Sequence, residues 1–281
     1  FNIDLIYALN IDLAGLPAAQ AAKATNKPVI LRYGGDYIWE IMFKFNRTSK
    51  TLDRFYETQE GRLFKTLKAF QSRMLAKFNH IIVPSDYYKN ILIKNFSLNE
   101  GNVTVIKNPV NTTIKSGKKK KNDFFTLITS SRILRLKGLD YLLEAMRILR
   151  RNYPNIKLQI IGDGPYKQKL IERAKELNVQ DKVEFLPGMK HEELLEKIAN
   201  ADAYISSSVS EVAPNAILEA MSLKVPVITS LVSDFDYKMN EDIALIVHPK
   251  DSNALAGAIT RLMLSQDLRK KLAGNAYKFV K

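Results

Sequence analysis

The feature that most constrains this chain is a rhythm in its second half. Apolar runs of strand length at Phe124 to Thr129, Ile156 to Ile161, Val183 to Leu186, Ala203 to Ser206, Val225 to Thr229 and Ala244 to Val247 recur along it. Helical patterns at Lys137 to Arg151, Tyr166 to Leu177, Glu192 to Ala199 and Asn215 to Leu223 separate them, and two more at Asn253 to Met263 and Asp267 to Phe279 follow. The first of these helices sets Leu139, Leu142, Leu143, Met146 and Leu149 on one stripe. Short apolar strands alternating with helices of this length predict a parallel sheet covered on both faces. In such sheets ligands lie outside the carboxyl ends of the strands, so the residues just after each strand are the ones to question.

The first half reads the same way with less regularity. Strands are expected at Asp4 to Leu9, from Pro28 to a Gly34-Gly35 turn, at His80 to Val83 and from Val103, with helices at Leu13 to Lys23 and Asp86 to Lys94. The paired glycines allow positive φ or close approach of a ligand. Between Gly61 and Phe78, Leu63, Phe64, Leu67, Phe70, Met74, Leu75 and Phe78 keep helical spacing, while Arg62, Lys65, Lys68, Arg73 and Lys77 occupy the other faces. Residues 112–122 are basic and lack core formers, which predicts a linker. The expected organisation is therefore α/β: a Rossmann-like domain over 1–111, the linker 112–122, and a second Rossmann-like domain over 123–281.

Composition narrows the chemistry. There is no cysteine, so disulfides and thiolate catalysis are excluded. No apolar run approaches the roughly 20 residues that cross a bilayer, and the cytoplasm is the expected compartment. A net charge of +14 attracts anions without naming one. No nucleic-acid recognition motif accompanies it, so nucleic acid is not an expected partner. The basic amphipathic stretch Gly61 to Phe78 leaves open a helix lying on an anionic membrane or one packed on its own domain. The three histidines show no metal-ligand spacing, so no metal is expected.

Several residues stand where a ligand would be met. Arg132 and Lys137 follow the Phe124 strand, and both can reach a diphosphate, Arg through its donor fork and Lys as a mobile point charge. A solvated basic turn is the competing reading. Gly162 and Gly164 need be only turn residues, because the third glycine of a dinucleotide fingerprint is absent. Glu211 stands in the loop after the Ala203 strand. Pro214 suits a first helical turn, and free amides around Asn215 and Ala216 would favour an anion. Glu219 lies about one turn into that helix among Ile217, Leu218, Ala220 and Met221. A half-buried carboxylate there needs bonds; it can hold the two hydroxyls of a ribose, or serve only the helix dipole.

Taken in order, Ser131-Arg132-Ile-Leu-Arg-Leu-Lys137-Gly138, Ile161-Gly-Asp-Gly-Pro, Pro187-Gly188-Met189, and Glu211 with Glu219-Ala-Met followed by Val225-Pro-Val-Ile resemble glycosyltransferase family 4. His80-Ile-Ile-Val-Pro-Ser and Val105-Ile-Lys-Asn108-Pro-Val extend the resemblance into the first half. The resemblance implies the GT-B fold, two Rossmann-like domains facing each other across a cleft. It implies a retaining, metal-independent transfer of sugar from a UDP-sugar or GDP-sugar to a sugar or lipid-linked acceptor, in cell-envelope polysaccharide or glycolipid synthesis at the inner face of the membrane. It gives Arg132 and Lys137 to the diphosphate, Glu211 to the donor sugar with amides near Pro214, Asn215 and Ala216, Glu219 to the ribose, and Gly188 and Met189 to the base.

The chain departs from that family in places. Val212-Ala213 replaces the usual Gly-Phe, and no glycine stands in Ser230-Leu-Val-Ser-Asp-Phe. Tyr33-Gly34-Gly35-Asp36 occupies the region where many members carry a histidine, so that role does not transfer; Asp36 is the polar group at hand, or a turn residue. The family's opening strand and glycine-rich loop have no counterpart before Phe1, and its final crossing helix is not evident. The first domain is therefore expected to be incomplete and the chain a fragment. An epimerase of the same fold and a noncatalytic basic module for membranes or nucleic acid are the alternatives.

Overall fold

A computed structural model of the chain describes residues 3–11, 13–45, 47–48, 50, 52–111, 123–209, 211, 215–230 and 239–281, with Lys44 by its backbone only. The expected linker 112–122, Pro214, Val212-Ala213 and the loop 231–238 lie outside the described residues. The chain divides into two compact units between Asn108 and Pro109.

The first unit runs β1 (Ile6–Ala8), α1 (Gly15–Thr25), β2 (Val29–Arg32), α2 (Tyr37–Lys44), α3 (Leu52–Thr58), α4 (Arg62–Leu75), β3 (His80–Val83), α5 (Asp86–Phe96) and β4 (Val103–Val105). Its four strands are parallel in the order β1-β2-β3-β4. In the Gly34-Gly35 turn neither glycine takes positive φ. The turn instead delivers Asp36 to cap α2, where its carboxylate accepts from the Trp39 amide at 2.8 Å. α2 buries Ile38, Trp39, Met42 and Phe43 and leaves Tyr37 and Glu40 exposed.

Asp36 is itself 1 % exposed and also accepts from Tyr33 OH at 3.0 Å, Tyr56 OH at 2.8 Å and the Gln71 amide at 3.3 Å. Burial raises its pKa while these bonds oppose the rise. It is a structural hub and not an open polar group. The need to feed this hub puts Gln71 on the buried face of α4. Phe64, Met74, Leu75 and Phe78 are buried with it, but Leu63 and Phe70, expected on the same stripe, are each 52 % exposed.

The second unit runs β5 (Phe125–Ser130), α6 (Leu139–Leu149), β6 (Ile156–Ile161), α7 (Lys167–Glu176), β7 (Val183–Leu186), α8 (His191–Asn200), β8 (Ala203–Ser206), α9 (Asn215–Ser222), β9 (Val227–Ser230), β10 (Leu245–Val247), α10 (Ser252–Leu264) and α11 (Gln266–Val280). Six parallel strands take the order β10-β9-β8-β5-β6-β7. Leu127, Ile160, Ile205 and Ile228 of the sheet pack with Leu142, Met146 and Ile259 of the helices in one core. From β5 the chain winds outward through β6 and β7, then returns to the other side of β5 as β8. The strand order thus reverses between β5 and β8. Helices feeding these two strands leave in opposite directions, and a crevice opens above their carboxyl ends. Among the described residues no helix is long and apolar enough to cross a membrane.

Candidate functional site

A cavity of about 240 Å³ lies in the second unit at this reversal, walled by the ends of β5 and β8 and the start of α9. Local chemistry brings the walls together. After β5 the chain makes a short 3₁₀ turn over Arg135–Lys137 and reaches Gly138 at φ +61°, ψ +25°. A Cβ there would stand 2.1 Å from the Ser207 carbonyl oxygen, so only glycine lets the loop after β5 close on the loop after β8. The Val209 amide donates to Leu136 O at 2.8 Å and the Ser207 hydroxyl to Lys137 O at 3.0 Å, stitching the two loops. Gly162, at φ +136°, does the same between β6 and Ser131, whose carbonyl oxygen would meet a Cβ at 2.0 Å. Its role is therefore close packing of loops, as turn chemistry suggested.

Five of the residues singled out from sequence line this cavity: Arg132, Lys137, Glu211, Asn215 and Ala216. Lys137 Nζ lies 2.8 Å from Glu211 Oε2, with the two side chains only 18 % and 15 % exposed. The Ser208 hydroxyl donates to the same carboxylate oxygen at 3.1 Å. Arg132 is exposed and has no ion pair among the described residues. Asn215 and Ala216 begin α9, whose first-turn amides and dipole favour negative charge at that end.

Glu219 is not part of the cavity wall. It lies one turn further along α9, 19 % exposed, with His191 Nε2 at 3.8 Å from its Oε1. Burial raises its pKa above the ordinary carboxylate value, and the nearby His191 opposes the rise. Gly188 and Met189 also stand outside the wall, in the turn between β7 and α8. The Gly188 amide donates to Asp163 Oδ2 at 2.7 Å, and Lys167 Nζ reaches Asp163 Oδ1 at 2.8 Å. The Lys167 ammonium, then the Gly188 amide, hold the Asp163 carboxyl below the usual range. Asp163 thus ties the β6 turn to the β7 turn along one edge.

Sequence reasoning missed the hydroxyls. Thr129, Ser130, Ser131, Ser206, Ser207 and Ser208 face the same cavity, with Tyr204 at its base. Tyr204 is buried; its hydroxyl donates to Ser130 O at 3.1 Å and accepts from the Ser130 amide at 3.3 Å. Burial pushes its pKa up to about 12, and the Glu211 and Glu219 carboxylates add to the rise. His191 and Asp163 were missed too. The signal for all of them was position alone: each stands within a few residues of a strand's carboxyl end. Among the described residues no group of three or more His, Cys, Asp or Glu could hold a metal ion.

Two family models match the chain. Residues 1–114 match Glycosyltransferase Family 4 and residues 110–279 match Glycosyl transferases group 1. A phosphatidylinositol N-acetylglucosaminyltransferase subunit from Arabidopsis thaliana is 27% identical over 189 residues, covering 66% of this chain and 42% of that protein. The chain spans less than half the length of the curated relatives it matches. Among solved structures, Anabaena HepE in complex with UDP and glucose superposes with a TM-score of 0.79 at 18% identity, over 99% of this chain and 73% of that one. Sucrose-phosphate synthase from Thermosynechococcus elongatus gives 0.79 at 21%, over 99% and 68%. These likenesses are of fold: two Rossmann-like α/β domains of the GT-B type. With one family model matched over more than half of its residues, the chain belongs to the glycosyl transferases group 1.

Proposed function

We propose that this chain is the sugar-transferring part of a nucleotide-sugar-dependent glycosyltransferase, acting with retention on a UDP-sugar or GDP-sugar. The observation that carries the reading is the gathering of Arg132, Lys137 and Glu211 with the start of α9 in one cavity at the reversal of strand order. Residues 123–281 take the donor and 1–111 the acceptor side. The barrier to transfer lies in parting an anionic diphosphate from an oxocarbenium-like sugar, so fixed positive charge on the leaving group favours the transition state.

Arg132 meets the diphosphate through its donor fork. Lys137 has three N–H donors, one of which is spent on Glu211, so it can take a phosphate oxygen without releasing that carboxylate. Glu211 then presents its second oxygen to hydroxyls of the donor sugar. Amides at Asn215 and Ala216 face the same anion, Glu219 holds the ribose diol, and Gly188 and Met189 flank the base. HepE was solved with UDP and glucose, which supports a uridine or related nucleotide donor here. An acceptor in a cell-envelope polysaccharide or glycolipid suits the relative named for phosphatidylinositol. The half-exposed Leu63 and Phe70 of α4, beside Arg62, Lys65 and Arg73, suit peripheral contact with an anionic membrane at its cytoplasmic face.

Calorimetric titration with UDP and with GDP tests the site. One of them binds the intact chain, and Arg132→Ala weakens that binding. If neither binds, or if Arg132→Ala binds as the parent does, the donor site is elsewhere or absent.

A further inference from the structure

Glu219 presents a carboxylate that is mostly enclosed yet has no hydrogen bond to its side chain among the described residues; its one ion-pairing neighbour there is His191, at 3.8 Å, which carries charge only when protonated. That separation is beyond hydrogen-bond length, so the ring acts on the carboxylate through charge and by filling space beside it. The imidazole belongs to the first residue of α8, two positions past Met189, and its side chain is 58 % exposed. The chain enters α8 directly from the turn that Asp163 fixes through the Gly188 amide. His191 therefore links two regions that the cavity itself does not join, the Gly188-Met189 turn and the carboxylate on α9. Burial alone favours the protonated form of Glu219, and the imidazole is the neighbour that opposes it. A carboxyl that carries a proton loses one of its acceptor positions, and with it a bidentate hold on a diol.

We propose that His191 is a positioning residue for Glu219: from 3.8 Å away it confines the carboxylate on the side of the Gly188-Met189 turn, and so sets how strongly the site distinguishes ribose from 2′-deoxyribose. This rests on the donor-site reading above, in which Glu219 takes the ribose diol. Nothing in the inference requires His191 to touch the reacting atoms. Its effect is expected in the choice between nucleotides and not in the affinity for a diphosphate as such.

The test is a set of dissociation constants for UDP against 2′-deoxy-UDP and GDP against 2′-deoxy-GDP. The parent chain favours the ribonucleotide of the bound pair by about tenfold or more, the contribution of a hydrogen bond to a charged acceptor. Glu219→Gln reduces that ratio severalfold. His191→Ala reduces it to a similar degree, His191→Gln, which fills much of the same space, recovers most of it, and Arg132→Ala weakens both nucleotides equally and leaves the ratio alone. The double variant His191→Ala/Glu219→Gln loses no more discrimination than either single change. A His191→Ala chain with the parental ratio overturns the inference while the donor site stands. Absence of UDP and GDP binding by the parent removes the donor-site reading and this inference together. His191 is exposed, so its replacement leaves folding intact, checked by an unchanged melting temperature.

Discussion

Arg132 and Lys137 differ in a way their shared charge conceals. Lys137 is held 2.8 Å from Glu211 in a largely enclosed pair, whereas Arg132 is an exposed cation with no carboxylate paired to it among the described residues. Removing Arg132 strands nothing, so Arg132→Ala is expected to leave the melting temperature within a degree or two while weakening UDP or GDP binding by about 10- to 100-fold, the contribution of charge-assisted bonds. Lys137→Ala has a second cost, since it leaves Glu211 enclosed with Ser208 as its side-chain donor among the described residues. It is expected to lower both affinity and melting temperature, and equal melting of the two variants contradicts the assignment. Glu219 gives a pH signature. Burial raises its pKa, so it takes up its proton at a higher pH than an ordinary glutamate as acid is added. Binding through a ribose diol is therefore strongest above that pKa and falls as pH drops through it, and Glu219→Gln flattens this limb of the profile. An unchanged acid limb in Glu219→Gln assigns the titration to another group.

At the scale of elements, the site depends on loops that can touch. Gly138→Ala puts a Cβ 2.1 Å from the Ser207 carbonyl and a side chain at φ +61°. The left-handed backbone alone costs about 1–2 kcal/mol; with the overlap, the expected result is a melting temperature lower by several degrees and a loss of nucleotide binding. In the first unit, Asp36→Ala removes a helix cap and strands the Tyr33 and Tyr56 hydroxyl donors, for an expected loss on the order of 3 kcal/mol seen in denaturant unfolding. These same positions show what the amino-acid sequence made legible. Strands such as His80–Val83 and Ile156–Ile161 and helices such as α6 and α10 could be read from periodicity, because each buries one stripe. α2 could not, since over only eight residues Tyr37 and Ile41 stand beside Glu40 on its outer side and blur the stripe. Strand order was also out of reach: alternation predicts a parallel sheet but says nothing of where the winding reverses. Arg132, Lys137, Glu211, Asn215 and Ala216 were found because they follow strand ends with conspicuous chemistry. Tyr204 and the serines were not, because a hydroxyl in a polar turn looks like any other turn residue until β5 and β8 are known to be neighbours.

At the scale of the whole molecule, a net charge of +14 and the α4 face with Leu63 and Phe70 half exposed bear on where the chain works. Surface attraction of this kind is screened within about 10 Å at 0.1 M salt. Sedimentation with vesicles containing phosphatidylglycerol is therefore expected to capture the chain at low salt and release most of it at salt well above that, on the order of 0.5 M. Leu63→Ser/Phe70→Ser is expected to weaken capture without changing nucleotide affinity, and equal capture by uncharged vesicles contradicts an electrostatic contact. The central claim, however, concerns the second unit: one cavity at the β5/β8 reversal receives the diphosphate of a sugar nucleotide. A crystal structure of the chain soaked with UDP and with GDP tests it most directly. The account predicts the diphosphate within hydrogen-bond distance of Arg132 and Lys137, with the ribose hydroxyls on Glu219. A nucleotide bound away from Arg132 and Lys137, or with its ribose turned from Glu219, contradicts it.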